Sequence, residues 1–137
     1  MKLRIRGNSI RLRLTKSDIA QFGAAGKVEE IVEFGFAKLA LCYRLDKTEK
    51  GEAISAGFED NCLSISVPLV EAEEWIKSER VGIESAQPIG DNNVLRILIE
   101  KDFACLDKRV GDEDSDTFTN PNAADKTENV DLATVLL

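Results

Sequence analysis

Lys2-Leu3-Arg4-Ile5-Arg6-Gly7-Asn8-Ser9-Ile10-Arg11-Leu12-Arg13-Leu14 alternates cation and hydrophobe on both sides of a Gly-Asn-Ser break. Period-two alternation marks a half-buried strand, because successive side chains of an extended chain point to opposite faces. Gly and Asn tolerate positive φ, so residues 7–9 predict a turn and the flanking runs an antiparallel hairpin. Leu3, Ile5, Ile10, Leu12 and Leu14 then share one face. Lys2, Arg4, Arg6, Arg11 and Arg13 share the other, which gathers several cations on one surface.

Outward from this hairpin the signals continue in the same style. Thr15 stands three residues before Asp18, a capping pattern, and Ile19, Ala20 and Phe22 follow at helical spacing up to Gly23, which predicts a short first helix. Val28 to Phe36 reads as a strand. Ala37 to Asp46 reads as another, with Leu39, Leu41, Tyr43 and Leu45 inward and Lys38 and Arg44 outward. Ala53 to Glu59 and Cys62 to Leu69 form a hairpin over Asp60-Asn61, with Ile54, Ala56 and Phe58 answering Leu63, Ile65 and Val67. Val70 to Ser78 carries Glu71, Glu73 and Glu74 early and Lys77 late, the polarity a helix dipole favours, with Trp75 and Ile76 as its anchors. Val81 to Ile89 and Val94 to Phe103 give a last hairpin, in which Leu95, Ile97 and Ile99 oppose Arg96, Leu98 and Glu100.

These elements predict an α+β fold: mainly antiparallel β-sheet, or a partly closed barrel, of about eight strands with two short helices and an acidic C-terminal extension. Length agrees, since 137 residues suit one domain. Residues 1–106 are expected to form it. Residues 107–137, of which 107–129 are rich in Asp, Glu, Asn, Thr and Ser, are expected to be a weakly structured acidic extension.

Composition excludes more than it selects. No apolar run approaches the roughly 20 residues of a membrane-spanning helix, and the N-terminus lacks the continuous apolar stretch of a signal peptide. A cytoplasmic protein with no membrane partner is the expectation. The chain has no histidine, which removes the usual general base, the His-activated nucleophiles and the commonest transition-metal ligand. Three cysteines, Cys42, Cys62 and Cys105, are too widely spaced for a metal or redox motif and read as separate buried thiols. Neither a cofactor nor a catalytic residue is predicted, and a non-enzyme is expected.

The net charge of -7 is unevenly spread. Lys2, Arg4, Arg6, Arg11, Arg13 and Lys16 open the chain without an acid, whereas Asp112, Glu113, Asp114 and Asp116 cluster in the extension. The candidate ligand-binding residues are therefore Lys2, Arg4, Arg6, Arg11 and Arg13, adjoined by Lys38 and Arg44. Guanidinium forks pair with phosphate or carboxylate oxygens through two hydrogen bonds, so an anionic ligand or an acidic protein surface is the expected partner. The acidic extension could also lie across the arginines and mask them. Asp112 to Thr117 begins like a calcium loop, but Thr117 stands where the turn needs Gly and Ala123 where a bidentate Glu belongs. Glu100 and Asp102, on one face of a strand end, are a weaker candidate pair for a divalent cation.

Two resemblances bear on these expectations. The opening Lys2 to Thr15, Ile99-Glu100-Lys101-Asp102-Phe103 and Asn120-Pro121-Asn122 together resemble a family of small bacterial proteins known only as a domain of unknown function, which implies no site residues. Gly7-Asn8-Ser9, Arg13-Leu14 and Phe22-Gly23 locally resemble the swapped-hairpin DNA-binding modules of the AbrB and MazE type, which form intertwined dimers. Thr15 replaces the proline usual in those modules, and the downstream Gly26 comes about one residue early. That resemblance implies DNA as a partner, a regulator or antitoxin role, and Arg11 and Arg13 as the DNA-facing residues. A third reading rests on fold analogy alone: a metal-dependent triphosphate-tunnel phosphohydrolase, a barrel lined with cations and carboxylates, although Lys2 to Arg6 stands where its ExExK signature would be.

Overall fold

The predicted first hairpin is present in the computed structural model, which describes residues 1–36 and 39–102. Strand β1 (Lys2–Arg6) pairs antiparallel with β2 (Ser9–Leu14), Lys2 facing Arg13, Arg4 facing Arg11 and Arg6 facing Ser9. Gly7 supplies the positive φ, 55°, that its tight turn needs. Helix α1 (Lys16–Ala25) starts from a reciprocal capping box: the Asp18 N–H donates to the Thr15 hydroxyl, and the Thr15 N–H donates to the Asp18 carboxylate. It runs through Gly23, because one glycine weakens a helix without ending it, and stops at Gly26 in a left-handed cap.

There follow β3 (Lys27–Glu33), β4 (Ala40–Thr48), β5 (Ser55–Glu59), β6 (Cys62–Pro68), α2 (Leu69–Lys77), β7 (Gly82–Gly90) and β8 (Asn93–Lys101). The strands make two sheets rather than one, ordered β1-β2-β8-β7 and β3-β4-β6-β5. Hairpin partners are antiparallel as expected. The central pairings, β2 with β8 and β4 with β6, are parallel, because each joins strands from distant parts of the chain that run the same way.

This order is a repeat. The half β1-β2-α1-β3-β4 matches β5-β6-α2-β7-β8 strand for strand, and each sheet takes one hairpin from each half. Details match as well. The Arg96 N–H donates to the Asn8 carbonyl and the Cys42 N–H to the Asn61 carbonyl; the Lys47 N–H donates to Gly26 and the Lys101 N–H to Val81, both at 3.0 Å. Leu12 and Ile65, Leu14 and Val67, Phe22 and Trp75, and Leu45 and Ile99 are equivalent pairs, and all eight are fully buried.

The inner faces of both sheets and the two helices fill a single hydrophobic core. Each of its large apolar side chains contributes about 1.5–3 kcal/mol relative to exposure. The barrel does not close. Between β7 and β5 the gap is bridged by side chains instead of a backbone ladder: the Gln87 amide accepts from the Ala56 N–H at 2.6 Å and donates to the Ala56 carbonyl at 3.0 Å, and the Ser85 hydroxyl donates to the Ile54 carbonyl. Gln87 thus occupies the place of a strand neighbour.

Two inward assignments fail. Leu39 precedes β4 and is 57% exposed, and Phe58, on an edge strand beyond the core, is 65% exposed. Residues 37, 38 and 103–137 lie outside the described residues, and with them Lys38, Cys105 and the acidic extension. Among the described residues no helix is long and apolar enough to cross a membrane.

Candidate anion-binding face

Ladder register sets the outer surface of the first sheet. Lys2, Arg13 and Glu100 form one row across it, Arg4, Arg11 and Leu98 the next, and Arg6, Ser9 and Arg96 the third. Ile10, Leu12 and Leu14 point the other way into the core, which forces the intervening arginines outward. Lys2, Arg4, Arg11 and Arg13 together line a concavity of about 40 Å³. A single water needs roughly 10–15 Å³ of such space, so a small oxyanion has room.

The five predicted cations of the hairpin are brought together, but unequally. Glu100 Oε1 accepts a hydrogen bond from Arg11 Nε at 2.9 Å, forms an ion pair with Arg11 Nη2 at 2.9 Å, and lies 3.6 Å from Arg13 Nη2. Lys2 Nζ is 3.8 Å from Asp102. Arg4 and Arg6 have no carboxylate partner among the described residues. Arg96 joins the same face and was not among the candidate residues, although its alternation with Leu95 and Ile97 already placed it opposite the core.

Arg44 does not adjoin this patch. It sits on β4 in the second sheet, where Nε and Nη2 donate to Glu29 Oε2 at 3.1 and 2.9 Å and Nη1 donates to the Ser64 hydroxyl. Hydrogen bonds from Cys42 and Arg44 outweigh burial and hold the Glu29 carboxyl below its ordinary range. Of the weaker candidate pair, Glu100 lies against Arg11 and Arg13, and Asp102 lies 3.8 Å from Lys2 Nζ. Among the described residues, the group of three potential ligands that meets within 4.8 Å is Glu29, Cys42 and Cys62.

That cluster corrects the reading of separate thiols. Cys42 and Cys62 are cross-strand partners on β4 and β6, with Sγ atoms 2.6 Å apart, and the Cys42 thiol donates to Glu29 Oε2 at 3.2 Å. Neither spacing nor composition could signal it, because the contact depends on the parallel pairing of two strands that no local pattern links. Nearby, an open apolar cleft of about 340 Å³ is lined by Ile5, Leu41, Cys42, Phe58, Leu63 and Leu95 among others. Exposed Ile5 and Phe58 face this space rather than the core.

Searches of curated proteins and of solved structures returned no match. A family model does match, over residues 1–122, and so covers every element described above. The chain belongs to the family of unknown function DUF7009.

Proposed function

We propose that this chain is a non-catalytic binding module that takes an anionic ligand, a phosphate group or phosphate polymer, on the outer face formed by Lys2, Arg4, Arg6, Arg11 and Arg13. The observation carrying this reading is the convergence of Lys2, Arg4, Arg11 and Arg13 on one concavity. Glu100 holds Arg11 in position before any ligand arrives, so less side-chain freedom is lost on binding. Arg4, with no acidic partner among the described residues, has its donors open to the ligand. Titration calorimetry with inorganic polyphosphate should show binding that weakens steeply with salt, and Arg4→Glu should weaken it at least about tenfold, since each neutralised phosphate releases counterions. Binding that ignores Arg4→Glu, or no binding at low salt, would sink the reading.

A second reading is favoured by one further observation. Each sheet combines a hairpin from either half, so the chain contains within itself the exchange that two subunits make in swapped-hairpin DNA-binding modules. On this reading Arg11 and Arg13 face DNA, and a monomer suffices because one chain supplies both halves. Sequence-independent, salt-sensitive retention of duplex DNA by the monomer supports it; polyphosphate binding without DNA binding counts against it. The triphosphate-tunnel reading receives no such support, since the inward faces carry Ile10, Leu12, Leu14, Leu45, Ile65, Ile97 and Ile99 where that chemistry needs charge.

A further inference from the structure

The outer face of the second sheet carries chemistry that anion binding leaves unused. Cys42 and Cys62 are direct partners across a parallel ladder. Adjacent strands stand about 4.8 Å apart, within the roughly 4.4–6.8 Å between Cα atoms that a disulfide spans. Their sulfurs, 2.6 Å apart, are already inside van der Waals contact. The distance argues against a shared metal, because tetrahedral zinc with bonds of about 2.3 Å would keep two sulfurs nearly 4 Å apart. The fold does not demand cysteine here: the equivalent ladder position in the other sheet pairs Ser9 with Arg96.

We propose that Cys42 and Cys62 form a reversible dithiol–disulfide site whose oxidant is a low-molecular-weight disulfide. The Cys62 thiolate attacks one sulfur of that disulfide, breaks its S–S bond and expels the first small thiolate, leaving a mixed disulfide on Cys62. Cys42 sulfur then attacks the Cys62 sulfur and expels the second small thiolate. Two protein thiols are oxidised, one small disulfide is reduced to two thiols, and the two protein protons end on the two leaving groups.

Neighbouring groups assign the order of attack. Burial, Cys62 and Glu29 push the Cys42 thiol up, and because the Glu29 carboxylate stands 3.2 Å from Cys42 Sγ, where it opposes a thiolate, the first attack is assigned to Cys62. Conversion of Cys62 to a mixed disulfide removes one of the groups that raise Cys42. Glu29 Oε2, fixed by Arg44 and 3.2 Å from Cys42 Sγ, then stands where it can take the Cys42 proton transiently and pass it to the departing small thiolate.

The test uses the full chain carrying Cys105→Ala, treated with oxidised glutathione under native conditions. Intact mass should fall by two hydrogens, free thiols should drop from two to none, peptide mapping should join Cys42 to Cys62, and dithiothreitol should reverse all three. Cys42→Ser in the same background should stop at one glutathionyl group on Cys62, and Glu29→Gln should slow closure several-fold without changing the product. Two stable glutathione adducts, crosslinks only between chains, or thiols left unreacted would overturn the proposal. So would thiols shielded by one zinc ion that a chelator removes, since the site would then hold metal.

Discussion

Phe22 and Trp75 stand edge to face, ring centroids 6.4 Å apart and planes inclined at 65°, and each carries the lysine of its own half: Lys47 Nζ lies 5.8 Å from the Phe22 centroid, and Lys101 Nζ lies 5.4 Å from that of Trp75. The pair is where the two repeats meet through their helices. Both rings are fully buried, and the indole N–H donates to the Val81 carbonyl at 3.3 Å. Trp75→Ala should therefore destabilise the fold by about 3–5 kcal/mol, as truncation of a large core aromatic leaves a cavity. Lys101→Met, which keeps most of the packing and loses the cation, should cost only about 0.5–2 kcal/mol. Urea denaturation followed by circular dichroism measures both, and equal losses would show that the cation matters as much as the ring.

Glu100 gives the anion-binding face an opposing charge. Its single oxygen Oε1 serves Arg11 and lies near Arg13, both about 28–29% exposed. Pairs this exposed contribute at most about 1 kcal/mol. Glu100→Gln should thus lower stability by no more than about 1 kcal/mol. It should raise affinity for polyphosphate several-fold, because the ligand no longer meets a fixed negative charge beside the guanidiniums. Calorimetry at low salt decides it, and a loss of affinity would mean that Glu100 serves chiefly to orient the arginines.

Asp60 and Asn61, at φ 53° and 60°, are both left-handed, the conformation a two-residue hairpin turn of the primed type needs. The Asn61 carbonyl also accepts from the Cys42 N–H at 2.9 Å, so this turn sets the register that brings the two cysteines together. Asn61→Gly should be neutral or stabilise by a few tenths of a kcal/mol, whereas Asn61→Val should cost about 1–2 kcal/mol, since a β-branched residue is strained at positive φ. Thermal melts of the two variants provide the check. A valine variant as stable as the parent would show that the turn tolerates another geometry.

The same turn marks how far the sequence could be read. Local signals were legible: Asp60-Asn61 between alternating runs, the Thr15 and Asp18 box, and the acid-to-base polarity of Leu69–Lys77 all depend on neighbours within a few residues. The cationic face was legible for the same reason, since alternation alone puts Arg4 beside Arg11 once the turn is known. The parallel joins of β2 to β8 and β4 to β6 were not, because no local rule says which distant strand completes a sheet. From that gap come the misplacing of Arg44, the unseen meeting of Cys42 with Cys62, and the hidden repeat, whose halves share hydrophobicity at Leu12 and Ile65 or Phe22 and Trp75 rather than identity.

Asp18 ties the first helix to the start of the chain and makes stability depend on pH at both ends. The N-terminal ammonium lies 2.9 Å from Asp18 and 3.1 Å from Glu30, and the Tyr43 hydroxyl donates to the Met1 carbonyl. Burial alone would raise the Asp18 carboxyl, but hydrogen bonds from the ammonium and from Thr15 outweigh it and hold it below its ordinary 3.8. Burial alone would lower the ammonium, but hydrogen bonds to Asp18 and Glu30 outweigh that too and raise it above 8.0. A carboxyl depressed in the folded state stabilises above its unfolded value, and the benefit is lost as pH falls through the folded one. An amine raised in the folded state stabilises below its unfolded value, and the benefit is lost as pH rises through the folded one. The contribution of this pair should therefore be fullest between about pH 4 and 8. Melting temperatures of the parent and Asp18→Asn, followed from acid to alkaline pH, should differ most in that window and converge at either side. The difference should shrink with added salt, and a constant offset across the range would mean that Asp18 acts as a helix cap alone.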